Sequence, residues 1–412
     1  MKKRFLPIIL SLIGFISLAC MWDRDTISFE KENFPSTLEI ITGNFIRHSP
    51  EFYQWRIKDR ETKLKSNPKQ WNYYDDLAVA YDKLGNHTKA IALMQKKDKL
   101  YPNQYETYAN LGTFYIHNKE YKKGLKYIDK AIYINPDAHF GREIYQKYLV
   151  EYLLSKIKNG RFTLPLNPYA QNHYYQSGFY YYLKKRQKEK FNIHKARLGL
   201  MGMVKFGKHN SPILMEALGD LLAGENKNIP NNAPYLAYLA YKRAGMCVKN
   251  VAAQQLYNKK NPPKNQWFKL KYYMPQKIAL QKVIGRLDKS FTQEIKEAQK
   301  LAFQIRNDEI NWIATATDPE AKFDEKYLKK DNIAKYINGA RQGLFMMENR
   351  RKNLNKELDT IANKDSVLKP ETIRQTVPQK NATNNNSLSL ITFIAIGCVA
   401  LILVVRRFIR KS

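Results

Sequence analysis

Three Xaa-Pro steps, Asn67-Pro68, Tyr101-Pro102 and Asn135-Pro136, stand at equal intervals along the chain. The residues between them repeat in the same register. Tyr74, Leu77, Ala78, Tyr81, Ala90 and Met94 of the first unit answer to Tyr108, Leu111, Gly112, Tyr115, Gly124 and Ile128 of the second. A period of about 34 residues marks a stack of small supersecondary units, each unable to bury its apolar face alone. Tyr74, Leu77 and Tyr81 fall on one face of a helix at spacings of three and four. The small residues Ala78 and Gly112 let a second helix approach closely, and each proline stops that second helix. The period therefore predicts an all-α chain.

The pattern resembles the tetratricopeptide repeat, W-x2-L-G-x2-Y followed by A-x3-F-x2-A and P. Gly85 holds the turn position of the first unit, where the second has Lys119, and Lys97 replaces the small residue found at Ala131. The resemblance implies an array over 21–158, completed by flanking helices. Upstream, Ser49-Pro50-Glu51 is a helix start, with a cap, a proline in the first turn and an acid. That helix runs through Phe52, Trp55 and Ile57, and Ser36 to Phe45 is expected to supply its partner. Downstream, Asp137 is expected to cap a helix carrying Phe140, Ile144, Tyr148, Tyr152 and Leu153 on one face, covering the end of the stack.

Residues 159–285 read as a second helical region. Leu214, Leu218, Gly219 and Leu222, followed by Ala237, Tyr241 and Ala244, form a degenerate repeat-like hairpin, and 159–185 is expected to be a packed loop. In 286–363 a four-three rhythm (Phe291, Ile295, Ala298, Ala302, Ile305; then Ile333, Ile337, Ala340, Leu344, Met347) predicts a coiled-coil-like antiparallel hairpin. Its second arm is expected from Phe323 to Ala362. Residues 364–387 lose apolar periodicity and read as a flexible linker.

The two ends carry an address. Residues 1–20 have a basic start at Lys2, Lys3 and Arg4, an uncharged apolar run, and Ser17 and Ala19 at the cleavage positions, as in a secretory signal. Cys20 resembles the lipidated cysteine of bacterial lipoproteins, although Leu18 sits one place late; ordinary cleavage near Ala19 is the alternative. Leu388 to Val405 is uncharged, and Arg406, Arg407, Arg410 and Lys411 follow in the tail 406–412. Such a run predicts a C-terminal transmembrane helix with a cytoplasmic end. Together these features predict a single-pass protein of a bacterial cell membrane whose body faces the periplasm or exterior.

Only three cysteines occur, which excludes a disulfide scaffold. No CxxC, HExxH, GxSxG, P-loop or GxGxxG is present. No catalytic, cofactor-binding or metal-ligating set is therefore assigned. Asp23 and Asp25 in Trp22-Asp23-Arg24-Asp25 pair two acids around a base, as acid–base or metal chemistry would use, but a position near a terminus favours a solvated or capping role. His48 and His139 read as cap-adjacent, and His87, His117 and His209 as solvated turn residues. The net charge is +33, of which the two ends supply seven. A balance of that sign draws polyanions, so an envelope protein that binds anionic lipid or glycan is the alternative function. Export argues against nucleic acid as a partner.

In the resembling family the first helices of successive repeats line a groove that holds a peptide or a partner helix. Carried onto this chain, the groove residues are Asn72, Asp75, Val79 and Asp82 in the first unit, and Glu106, Ala109, Thr113, Ile116 and His117 in the second. The chaperone-binding branch clamps a terminal carboxylate with Lys and Asn, whereas Asp75 and Val79 suit a basic or mixed amphipathic segment. The occupant is either an envelope protein partner or the chain's own residues 20–36 or 159–185. With a partner as occupant, Asp75, Asp82 and Ile116 should be accessible and tolerant of substitution.

Overall fold

Each repeat unit folds as two helices joined by a turn of three residues, and small residues where they touch let them pack closely. The computed structural model describes residues 21–26, 34–167, 178–224, 233–249, 253–255 and 277–328. All of them fall in the first of the two units into which the chain divides, Met1–Asp359. In chain order the helices are α1 (Thr37–Thr42), α2 (Pro50–Ser66), α3 (Trp71–Lys83), α4 (His87–Leu100), α5 (Tyr105–His117), α6 (Tyr121–Ile134) and α7 (Arg142–Lys156). They continue with α8 (Gly178–Gln187), α9 (Ile193–Phe206), α10 (Pro212–Gly224), α11 (Ala233–Met246), α12 (Lys277–Thr315) and α13 (Pro319–Phe323). Among the described residues the only extended pairing is an isolated bridge, Lys158 to Arg161. The all-α expectation is met.

The α5–α6 contact shows why glycine recurs. A Cβ built on Gly112 would lie 2.5 Å from Ile128 Cδ1 and 3.0 Å from the Ile128 backbone nitrogen. One on Gly124 would lie 2.6 Å from Ile116 Cγ1 and 2.9 Å from the Gly112 carbonyl oxygen. Backbone cannot retreat from these contacts as a side-chain tip could. Gly112→Leu is therefore expected to overpack the pair and cost on the order of 1–3 kcal/mol, read as a lower midpoint in urea unfolding. An unchanged midpoint would mean that this contact is not tight.

The turns within the units share one conformation despite different residues. Gly85 and Lys119, one period apart, both have positive φ, 83° and 66°. Gly85 N–H donates to the Asp82 carbonyl and Lys119 N–H to the Ile116 carbonyl, at 2.9 and 3.0 Å. The stack thus imposes the left-handed turn even where no glycine relieves it.

α2 begins as its cap predicts, with Phe52 N–H donating to Ser49 Oγ at 3.2 Å and Pro50 in the first turn. Its expected partner differs. α1 packs chiefly against α9, α11 and α12, since its buried face, Leu38, Ile40 and Ile41, belongs to the larger core formed by the later helices. The helix expected from Asp137 starts later, at Arg142, after a 3-10 turn over Ala138–Gly141. Within 159–185, α8 begins at Gly178. Buried carboxylates of α10 hold the stretch before it and the start of α8. Leu166 N–H and Asn167 N–H donate to Glu216, and Phe179 N–H donates to Asp220. α10 and α11 pair closely, with a Cβ on Gly219 falling 2.6 Å from the Tyr241 ring.

Of the expected hairpin over 286–363, the described residues hold the first arm and the start of the second. α12 has 39 residues, roughly 60 Å at 1.5 Å per residue. Its four-three seam packs against the body of the protein. Phe291 and Ile295 join the larger core, and Ile305 meets Phe323 and Tyr327. The described contacts of this helix include α1 and α2. After α13 comes a π-helical turn, Asp324–Leu328; the rest of the expected second arm lies outside the described residues. So do the signal 1–20 with Cys20, the linker 364–387, the membrane span 388–405 and the tail 406–412. No helix among the described residues is long and apolar enough to cross a membrane.

Candidate functional site

The first helices α3 and α5 do lie side by side, but the groove side chains are not open to solvent. Asp75, Val79, Asp82, Ala109, Thr113, Ile116 and His117 are all at most 5% exposed. Of the expected groove residues only Asn72 is exposed, and Glu106 is half-buried. The expectation that Asp75, Asp82 and Ile116 would tolerate substitution is corrected accordingly, because each sits inside the protein.

The chain's own N-terminal segment, Met21–Thr26, covers part of this surface. Asn110 grips it twice: Trp22 N–H donates to Asn110 Oδ1 at 2.8 Å, and Asn110 Nδ2 donates to the Trp22 carbonyl at 3.0 Å. Arg24 N–H donates to Asp76 Oδ1 at 3.1 Å. Asp76 and Asn110 are one period apart, so equivalent positions of successive repeats hold alternate residues of one strap. Met21 is buried among Tyr74, Ala78, Val79 and Ala109. The Trp22 ring meets Tyr105 edge-on at 5.8 Å. Asp23 closes the strap's turn by accepting from Thr26 N–H and Thr26 Oγ1, both at 3.0 Å. Neither Asp76 nor Asn110 is among the expected groove residues. Their signal is a polar side chain at the same register position in both units, one step from the positions chosen.

Beyond the strap lies an ionic network that joins four distant parts of the chain. Phe52, Arg56 and Arg60 follow at intervals of four, so both guanidinium groups share α2's buried face with Phe52. Arg56 donates to Asp25 Oδ2 at 2.6 Å and to Glu320 Oε1 at 2.9 Å. Arg60 donates to Asp76 Oδ2 at 2.9 Å and to both Glu320 oxygens at 2.7 Å. His48 stacks on Phe52 with centroids 3.8 Å apart. It lies between Asp25, 3.2 Å from Nε2, and Glu309, 2.5 Å from Nδ1. Burial alone would lower the His48 pKa, but the Asp25 and Glu309 carboxylates outweigh it and raise the ring to about 9. Burial would likewise raise Asp25, yet Arg56 and His48 hold it well below the usual carboxylate range. Asp23 is pushed up to about 6 by burial and by the neighbouring Asp25 charge. Asp23 and Asp25 are 5% and 8% exposed rather than solvated; Asp23 caps the turn at Thr26, and Asp25 is paired with Arg56 and His48.

Two departures from the repeat pattern also find partners. Lys97 is fully buried and pairs with Asp75. One period on, the equivalents of these two residues, Ala131 and Ala109, are both alanines. An ion pair in the first unit therefore stands where the second has two small apolar residues. Burial pushes Asp75 up to about 7 against the opposing pull of the Lys97 ammonium. Asp82, at the end of α3, accepts from two imidazoles: His87 Nδ1 lies 2.7 Å from Oδ1, and His117 Nδ1 lies 2.8 Å from Oδ2. His117 is buried and His87 partly so, which corrects their reading as solvated turn residues. His209 is corrected too; burial and the nearby Arg47 and Arg243 cations hold it well below the usual imidazole range. The Asp82–His87–His117 set is the one group among the described residues whose ligand atoms, all within 4.8 Å of one another, could hold a metal ion.

No protein-family model and no curated protein matches this chain.

Proposed function

We propose that this chain is a non-enzymatic protein-interaction scaffold of the tetratricopeptide kind, exported and tethered to a bacterial cell membrane through residues 388–405, whose peptide groove is filled in cis by Met21–Thr26. The observation that carries this reading is the grip of Asn110 and Asp76 on the strap's backbone. Backbone recognition by equivalent residues of successive repeats is a way to hold an extended segment, and it depends little on that segment's side chains. Specificity would come from the pocket that receives Met21 and from the ring of Tyr105 against Trp22. A partner presenting an aromatic residue beside alternating acid and base could take the same place. Residues 388–405 and the basic tail support the membrane tether. The seam of Lys and Arg pairs behind the groove supports a structural rather than a catalytic use of its charges.

A labelled peptide, Met21-Trp22-Asp23-Arg24-Asp25-Thr26, tests the reading by fluorescence anisotropy. It is expected to bind a variant lacking residues 21–26 and not the wild type, whose groove is filled. Asn110→Ala in the deleted background should weaken binding by about tenfold or more, as the loss of two hydrogen bonds implies. If the deletion does not fold, a protease site inserted between residues 26 and 34 allows exchange of the cut strap to be followed instead. Failure of the peptide to bind or exchange would remove the groove from the function. Salt-sensitive binding of anionic vesicles by wild type and variant alike would instead assign the function to the basic surface.

A further inference from the structure

Two histidines and one aspartate meet where the first helices of the two units end, for reasons of register. Asp82 lies in the last turn of α3 and His87 is the first residue of α4; the left-handed Gly85 between them folds the one back beside the other. His117 ends α5, whose C-terminus lies beside that of α3 in the stack. The three side chains thus come from two different repeats. Asp82 and His117 are each 5% exposed, while His87 stands at the rim with its side chain 14% exposed.

We propose that Asp82, His87 and His117 form a binding site for a divalent transition-metal ion of the zinc class. Two neutral imidazoles and one carboxylate are a donor set that suits such ions. Ligand atoms around four-coordinate zinc, at bond lengths near 2.0 Å, stand about 3.3 Å apart. The observed separations from Asp82 to the two Nδ1 atoms, 2.7 and 2.8 Å, would open by about half an ångström as the ion replaces the shared protons. The two rings, with centroids 5.5 Å apart, already face the carboxylate from two sides. Among the described residues His117 Nε2 has no hydrogen-bond partner, and the Nδ1 side of the ring is held by Asp82. The nearest lysine on α3, Lys83, is turned to the carbonyls of Phe206 and Gly207 and leaves the carboxylate to the imidazoles. Three protein ligands leave one position open at the His87 rim, where water or a donor from a partner completes the shell. The ion would fasten the first repeat to the second, since its ligands belong to both.

The test uses tag-free full-length protein in detergent, stripped with chelator and dialysed. Zn2+ is titrated in competition with a chromophoric chelator, and Co2+ is followed by its d–d absorption. The wild type is expected to take up one equivalent, to show the intense visible bands of four-coordinate Co2+, and to melt at higher temperature with Zn2+ present. His87→Ala, which removes the rim ligand, should bind at least about 100-fold more weakly and lose both the bands and the rise in melting temperature. His87→Asn, which can still donate to Asp82, should fold like the wild type and share the binding defect, separating coordination from packing. Equal affinity of wild type and both variants, or Co2+ spectra of the hydrated ion only, would overturn the site and leave a hydrogen-bonded His–Asp–His cluster.

Discussion

Arg56→Met is expected to destabilise the protein by about 3–5 kcal/mol, because it removes the one buried cation that two buried carboxylates share. Arg56 is fully buried and ties Asp25 of the strap and Glu320 of α13 to the same guanidinium. Methionine fills much of the space but cannot donate, so Asp25 would keep only His48, and Glu320 only Arg60, as a buried cation partner. The penalty falls on the strap and on α13 at once. Limited proteolysis should therefore cut near residue 26 and near residue 320 together, and the urea midpoint should fall. Arg24→Ala is the control. Its bond to Asp324 is about one-third exposed, and exposed pairs contribute roughly 0–1 kcal/mol. Equal, small effects of the two substitutions would show that the network contributes little to the native state.

The second large effect is alkaline. His48 has a folded pKa of about 9 against its ordinary 6.5, so between those values the native state holds a proton that the unfolded chain has released. Its contribution is complete below pH 6.5 and is lost as pH rises through 9. At 1.36 kcal/mol per pKa unit this amounts to about 3 kcal/mol. Unfolding free energies measured in urea at pH 6 and pH 9.5 should therefore drop more steeply for the wild type than for His48→Gln. Other groups titrate in both proteins, so the difference between the slopes is the readout. Parallel slopes would mean that His48 is neutral between Asp25 and Glu309. The acids of the same network act at the opposite end. Asp25, held below the usual range, contributes stability that is lost as pH falls through its folded value.

The repeat and its consequences are legible because they are periodic. Tyr74, Leu77 and Tyr81 recur at helical spacing, Gly112 and Gly124 stand where two helices touch, and the turn at Gly85 recurs in conformation even as Lys119. The pattern does not show which side chains hold the segment Met21–Thr26. Asp76 and Asn110 stand beside the positions chosen, and only a bound segment shows which side chains face it. Lys97 is visible as a departure from the pattern; its partner Asp75, 22 residues earlier, explains the departure only once the two helices are packed. The four-three seam of α12 is likewise visible, but an apolar stripe does not say what covers it.

From its sequence alone, then, this protein is determined to be a stack of helical pairs, with turns, caps and close contacts at stated residues. Those features depend on side chains a helical turn or a full repeat apart, and a regular geometry projects such spacings directly into space. Tertiary structure alone decided which charges go inside. Arg56 meets Asp25 across 31 residues and Glu320 across 264; His48 meets Glu309 across 261; His117 meets Asp82 across 35. A lone charged residue belongs in water, because leaving it costs several kcal/mol. It becomes an interior residue only when folding brings an opposite charge to it, and no local period in the chain records where that partner is.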